Sequence, residues 1–343
     1  MRRSSWCDGG RRSRAHRGAR RGPGSSGPRR NAGRAVLTKP TVSIVIPSYN
    51  RLHSIASTLR MLAHQTFKDW EVVVVDDGSA IDPSSAFPTL APHCRLIRLD
   101  RNQGPSAARN AGVRASRGRF VAFLDSDDEW LPEKLELQLA AVLASADPDS
   151  VLCYTQTKVV ESESAFSIQP SRGIAAGENP ADYLFLEQGF AQTSSFFVSR
   201  KLALAIGFDE QLRQYEDYLF FISARLHIVG YIFLQAPLSV WNNDSRSDRL
   251  SCGSGKSIAN ATLLASRAGA GFGRKAYLRF LMTHLGVDLV RRDPKFGLAL
   301  AAEAIWARAV TPRYVMRQIL RAILPDDVYS RLRGDRKVKG QMN

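Results

Sequence analysis

The first regular pattern begins at Val42. Val42-Ser-Ile-Val-Ile46 is apolar and β-branched and stops at Pro47, which predicts a buried strand. From Ser54 to His64, apolar residues recur at Ile55, Leu59 and Leu62, the spacing of a helix face. Trp70-Glu-Val-Val-Val-Val75 predicts a second buried strand, running into Asp76-Asp77-Gly78-Ser79. Strand, helix and strand in this length predict a βαβ unit with its loops at the C-terminal edge of a parallel sheet. A loop from Ala80 to His93 carries prolines. A third strand is predicted at Arg95–Leu99, and a helix from about Ala107 to Ala115 is broken by Gly118. Phe120 to Leu124 is a fourth apolar run, ending in Asp125, Asp127 and Asp128.

Beyond it, helices are predicted at Leu131–Ala144, Gly177–Gln188 and Arg200–Ile206, and strands at Val151–Val160 and Thr193–Ser199. Tyr215-Glu-Asp-Tyr218 opens an apolar helix through Leu219, Phe220, Ile222, Leu226 and Ile228. Tyr231–Leu234 and Leu238–Trp241 predict the last strands, and Ile258 to Asn343 reads as helical. Three successive strands end in polar words: Tyr49-Asn50, Asp76-Asp77 and Asp125-Asp127. In a parallel sheet those ends share one edge, so they are expected to converge on one pocket.

Three carboxylates within four residues repel one another and raise one another's pKa values. A divalent cation removes that penalty. Asp-x-Asp at a strand end suits Mg²⁺ or Mn²⁺, which take one or two protein carboxylates and leave positions for water and phosphate oxygens. The alternative is a solvated acidic turn that caps the helix near Leu131-Pro132.

Charge changes the picture at one end only. Lys+Arg 48 against Asp+Glu 32 gives +16, but residues 1–34 hold eleven Arg and one acid, Asp8. The tail is Arg, Gly, Ser and Pro with few aliphatics, so it cannot bury a core and is expected to be disordered. It would suit anionic lipid or nucleic acid, or be a dispensable extension. It lacks the apolar stretch of a secretory signal. Cys7, Cys94, Cys153 and Cys252 show no metal-ligand spacing and read as free thiols in a reducing compartment. No apolar run reaches the ~18 residues of a membrane span; Phe296 to Val310 is interrupted by Glu303 and Arg308.

An ordered set of words then carries a resemblance. These are Val42-Ser-Ile-Val-Ile-Pro-Ser-Tyr-Asn-Arg51, Gln65-Thr-Phe67, Glu71-Val-Val-Val-Val-Asp-Asp-Gly-Ser79, Asn102-Gln-Gly-Pro-Ser-Ala-Ala-Arg-Asn-Ala-Gly112 and Gly118-Arg-Phe-Val-Ala-Phe-Leu-Asp-Ser-Asp-Asp128. Over about residues 41–130 the chain resembles the inverting glycosyltransferases of family 2, with the GT-A fold. The resemblance implies that Pro47 and Tyr49 line the nucleotide base, that Asp77 accepts a hydrogen bond from it, and that Gly104 permits close backbone approach. It implies Arg109 at the nucleotide or its phosphates, Asp125 at the ribose and the metal, and Asp127 as the direct metal ligand. It implies Asp217 as catalytic base, with Glu216 as helper or acceptor contact. Read from the residues alone, Glu216-Asp217 equally well caps its helix.

The family often carries a His in the loop after the last strand; here Trp241-Asn-Asn-Asp-Ser-Arg-Ser-Asp-Arg249 has none. Gly253-Ser-Gly-Lys-Ser257 lacks the spacing and preceding strand of a phosphate loop. No Gly-x-Gly-x-x-Gly follows the first strand, which disfavours a dinucleotide dehydrogenase. From Ile258 onward, arginines flank apolar stripes, the pattern either of a helix on an anionic membrane surface or of helices packed on the catalytic domain.

The expectation is therefore an α/β protein of GT-A type, with a Rossmann-like, mostly parallel central sheet flanked by helices and a C-terminal helical appendage. Its division is a tail at 1–39, a catalytic domain at 40–250 and a basic helical region at 251–343. The expected activity is inverting, metal-dependent transfer from a nucleoside-diphosphate sugar, with a UDP-sugar favoured. The acceptor is a carbohydrate or glycolipid in surface polysaccharide synthesis, at the cytoplasmic face of a membrane with a peripheral contact, and no nucleic acid partner is expected. The alternative is a non-catalytic nucleotide-sugar-binding protein of the same fold.

Overall fold

A computed structural model describes residues 39–81, 93–162, 165–242, 258–325 and 328–329. The Arg-rich tail, most of the loop from 80 to 93, and residues 243–257 lie outside the described residues.

The predicted βαβ opening forms. Strands β1 (Val42–Ser48) and β2 (Trp70–Asp76) flank helix α1 (Leu52–Leu62), and β3 (Cys94–Arg98), α2 (Pro105–Ala115) and β4 (Phe120–Phe123) follow. β3, β2, β1 and β4 lie side by side in that order, all parallel. The chain winds outward from β1 through β2 to β3, then returns to the other side of β1. The order therefore reverses between β1 and β4, and a crevice opens at their C-terminal ends.

β1 shows why these strands read as unbroken apolar runs. Ile44 and Ile46 pack on one face with Ile55, Leu59 and Leu62 of α1. Val45 points to the other face, into a cluster with Val121, Phe123 and Phe220. Both faces are covered, so no polar alternation survives.

Beyond β4 the sheet becomes mixed. β8 (Phe197–Ser199) pairs antiparallel with β4, and β6 (Val151–Ser162) antiparallel with β8. β9 (Gly230–Asn242) runs parallel to β6, and the two-residue β5 (Glu129–Trp130) closes that edge. β7 (Ala165–Gln169) hairpins onto β6. β5 and β7 are too short or too exposed to leave a periodic signal.

Three predicted elements change. The helix expected to run through Leu226 and Ile228 ends at Ala224, before a turn at residues 225–227. The strand at Thr193–Ser199 is a single 3₁₀ turn at Thr193–Ser195 before β8. The Ser195 hydroxyl donates to the Gln192 carbonyl at 2.7 Å, and short hydroxyl side chains of this kind compete with a ladder. The two last strands are one, β9. Pro237 sits where the register against β6 slips between Thr155 and Thr157, a bulge that tolerates a residue with no N–H.

The remaining helices are α3 (Lys134–Leu143), α4 (Pro180–Phe185), α5 (Arg200–Ile206), α6 (Glu216–Ala224), α7 (Ile258–Ala268), α8 (Arg274–His284), α9 (Gly286–Arg292), α10 (Pro294–Trp306) and α11 (Pro312–Ile323). Leu264, Phe280, Leu285 and Leu300 from the C-terminal helices share one buried cluster with Phe196, Phe220 and Phe221. The helical region and the sheet thus have a continuous core.

Candidate active site

The crevice at the β1/β4 switch point is a cavity of about 570 Å³, within the usual size of a small-molecule site. The end of β1 contributes Pro47, the loop after it Tyr49 and Arg51, and the loop after β2 Asp77. The N-terminus of α2 brings Gly104 and Arg109, and the turn after β4 brings Asp125, Asp127 and Asp128. Glu216 and Asp217, at the start of α6, line the same cavity. The structure thus brings every sequence-predicted site residue to one place.

Neighbouring aspartates play different parts. Asp76 is buried and turns inward: its Oδ2 accepts from the Ser79 amide at 3.2 Å and lies 3.4 Å from Arg98 Nε. Asp77 faces the cavity. Its Oδ1 and Oδ2 accept from the amides of Gln103 and Gly104 at 2.7 and 2.8 Å. Burial raises the Asp77 pKa, opposed by those two amides and by the Arg213 guanidinium. Gly104 has φ +96°, and a Cβ there would lie 2.7 Å from Arg213 Nη1. A side chain at 104 would be strained and would crowd Arg213.

Arg109 is buried and bridges two carboxylates. Its Nη2 donates to Asp125 Oδ1 at 2.6 Å and its Nη1 to Glu216 Oε1 at 2.9 Å. It therefore ties the end of β4 to the start of α6 through two ion pairs. The Asp127 Oδ2 lies 2.6 Å from Arg51 Nη1. Asp128 turns inward, where its Oδ2 accepts from the Ser194 hydroxyl at 2.5 Å and from Gln192 Nε2. Burial, then the charges of Asp125 and Asp127, push its carboxyl well above the usual range.

α6 begins abruptly. Tyr215 has φ +68°, a left-handed turn that lets the helix start with Glu216 and Asp217 at the cavity wall. Asp217 is raised to about 7, first by desolvation and then by the negative charge of Glu216. Its Oδ1 accepts from the Tyr218 amide at 2.8 Å, and that bond and the Arg109 charge pull the other way. A carboxyl poised near neutrality and facing a cavity has the property a general base requires.

The sequence profile described as Glycosyl transferase family 2 matches residues 43–205. The amylovoran biosynthesis glycosyltransferase AmsB of Erwinia amylovora is 31% identical over 213 residues, 60% of this chain and 70% of that protein. The chain belongs to glycosyl transferase family 2. Another relative is the Escherichia coli UDP-Glc:alpha-D-GlcNAc-diphosphoundecaprenol beta-1,3-glucosyltransferase WfgD. It is 40% identical over 105 residues, which is 30% of this chain and 41% of WfgD. Among solved structures, S. aureus TarS 1-349 in complex with UDP-GlcNAc superposes with a TM-score of 0.52 at 21% identity, covering 86% of this chain and 92% of that one. The fold is GT-A and the protein is a glycosyltransferase.

Several residues of this glycosyltransferase's cavity were given no site role from the sequence. Arg213 is exposed at the rim, and among the described residues no carboxylate lies within ion-pair distance of it. Tyr215, Tyr218, Trp241 and His284 also line the cavity. Tyr215 and Tyr218 stack with centroids 6.1 Å apart, and the His284 ring lies 5.4 and 5.9 Å from them. His284 is the last residue of α8, far outside the stretch the family profile matches. Its distance in sequence from any site motif is why no local pattern could single it out.

Proposed function

We propose that the protein is an inverting glycosyltransferase that moves a sugar from a nucleoside-diphosphate donor to an acceptor hydroxyl. The observation that carries this reading is the arrangement around Arg109. A carboxylate poised to take a proton, Asp217, stands on α6, while donor-side carboxylates stand on the strand ends, and Arg109 fixes the two walls together.

The acceptor oxygen attacks the anomeric carbon as its proton passes to Asp217, and the bond from that carbon to the diphosphate oxygen breaks on the opposite face. Tyr49, 45% exposed at the cavity mouth, offers its ring to the base. Asp77 faces the base edge, held in place by the amides of Gln103 and Gly104. Arg213 is the rim cation available to the diphosphate.

A divalent ion fits the donor set. Asp127 and Asp125 are half-buried carboxylates at a strand end that face the cavity, which is oxygen chemistry suited to Mg²⁺ or Mn²⁺. Among the described residues no three His, Cys, Asp or Glu side chains form a cage. An ion here would rest on Asp127, with Asp125, and on diphosphate oxygens. When bound, it would supply charge neutralisation at the leaving group.

The donor we favour is a UDP-sugar, and the acceptor a carbohydrate or glycolipid on the route to a surface polysaccharide. This reading is supported by the names of two relatives: AmsB is named for amylovoran biosynthesis, and WfgD for glucosyl transfer from UDP-Glc to alpha-D-GlcNAc-diphosphoundecaprenol. This work would take place at the cytoplasmic face of a membrane with peripheral contact. No helix among the described residues is long and apolar enough to cross one.

The test is calorimetric binding and turnover of a nucleotide-sugar panel with Mn²⁺, with Mg²⁺ and with EDTA. One donor should bind in a metal-dependent way. Asp217→Asn should keep that binding within a few-fold and lower transfer by at least ~100-fold. Transfer that survives Asp217→Asn removes the assignment of the base, and a panel in which nothing binds removes the donor site.

A further inference from the structure

α11 carries a face that the other described residues leave exposed. Met316, Leu320 and Ile323 are 57%, 39% and 69% exposed, and their spacing of four and three residues places them in one stripe. Arg313, Arg317 and Arg321 form the adjoining stripe, all exposed. α11 contains no Asp or Glu. The opposite face is already occupied. Val315 is buried, Tyr314 and Ile319 pack on the main core, and Arg291 of α9 donates to the Arg321 and Ala322 carbonyls at 2.9 and 3.0 Å. α11 is thus fixed by one side, with an apolar stripe and three exposed arginines on the other, of which Arg317 also lies over the Tyr314 ring, 5.9 Å from its centroid. At the end of the preceding helix, Trp306 is 86% exposed.

The pairing of these two stripes selects the occupant. A second copy of this chain meeting α11 face to face would set three arginines of one molecule against three of the other, a contact that like-charge repulsion opposes. Nucleic acid would satisfy the arginines and leave the apolar stripe in water. A bilayer with anionic headgroups satisfies both. Hydrocarbon receives Met316, Leu320 and Ile323, while the headgroups beside it receive the arginines, as for helices that lie in the interface. We infer that α11 docks the protein on an anionic lipid surface, lying in its plane. The contact is independent of the catalytic reading, because neither donor nor acceptor takes part in it.

The test is flotation of the full chain with vesicles of phosphatidylcholine alone and of phosphatidylcholine with phosphatidylglycerol. Protein should float with the anionic vesicles, less so as salt rises, and stay behind with the neutral ones. Met316→Glu/Leu320→Glu/Ile323→Glu and Arg313→Gln/Arg317→Gln/Arg321→Gln should each weaken partitioning by at least ~10-fold. The substituted side chains are exposed, so an unchanged thermal unfolding temperature verifies the fold. If the glutamate set does not fold, the arginine set carries the test alone.

Equal flotation of wild type and both variants would overturn the inference and move the binding to the Arg-rich N-terminal segment. So would equal flotation with neutral vesicles. A dimer that the glutamate set dissolves, with no uptake on vesicles, would assign the face to a second copy instead. Loss of donor binding in the nucleotide-sugar panel would leave vesicle binding untouched, so the two readings fail separately.

Discussion

Asp217 stands under opposed influences, and its pH behaviour follows from which are removed. Desolvation and the Glu216 charge raise its pKa to about 7, while Arg109 lowers it. A base works only when ionised, so turnover should rise with pH to a plateau above about 7. Glu216→Gln removes a raising charge and frees Arg109 from one of its two partners, and both changes lower the Asp217 pKa. The acid limb of the pH–rate profile should therefore move to lower pH, whatever happens to the plateau. An unmoved limb would assign it to another group. Lys134 is a second displaced group, remote from that chemistry. It is buried with its Nζ 2.5 Å from Gln138 Oε1 and 4.1 Å from the Trp130 ring centroid, and burial lowers its pKa to about 7. The unfolded chain binds this proton up to its ordinary pKa, so between pH about 7 and about 10 the unfolded state holds more protons and stability rises with pH. Lys134→Met should abolish that rise, seen as urea midpoints of the variant and wild type that converge from pH about 7 to about 9. Neither shift was legible in the sequence, because the leading cause of each is burial, which only the folded chain creates.

At the scale of elements, α2 shows how a word in the sequence becomes a position in space. Its N-terminus meets Asp77 through the Gln103 and Gly104 amides, and its body lies on β1 and β2. Gly112 makes that approach close: a Cβ there would come within 2.4 Å of Val45 Cγ1. Gly112→Val should lower stability by about 2 kcal/mol through overpacking, measured by denaturant unfolding, and should weaken donor binding by tilting Arg109 and Gly104. The Asn102–Gly112 word was visible in the sequence, but the reason for its last glycine was not, since Val45 stands far away in the chain. β9 teaches the converse. Pro237 split it into two predicted strands, and only the partner strand β6, with its slipped register, explains how one strand absorbs a proline.

The whole molecule joins its two halves through one core. α7 packs on α6, α8 packs on α4, and Phe280 of α8 meets Tyr215, its ring centroids 4.9 Å away, beside the cavity. A chain ended before Ile258 would leave Phe220, Phe221 and their neighbours partly uncovered. It should lose cooperative thermal unfolding; a sharp transition in such a chain would show that the sheet half folds alone. The sequence by itself determined the parallel half of the sheet, its strand ends and the family, because buried parallel strands and their acidic termini are written in contiguous residues. Tyr49, Asp77, Gly104, Arg109, Asp125, Asp127, Glu216 and Asp217 were all named there; those at strand ends meet because a parallel sheet has one C-terminal edge, whereas Glu216 and Asp217 reach the cavity from the start of α6. Only the tertiary structure decided which aspartates face the cavity and which turn inward. It alone paired Arg109 with both Asp125 and Glu216, and brought His284 from α8 to the site. Charge pairing, desolvation and shared walls are relations between residues far apart in the chain, and they exist only once the chain has folded.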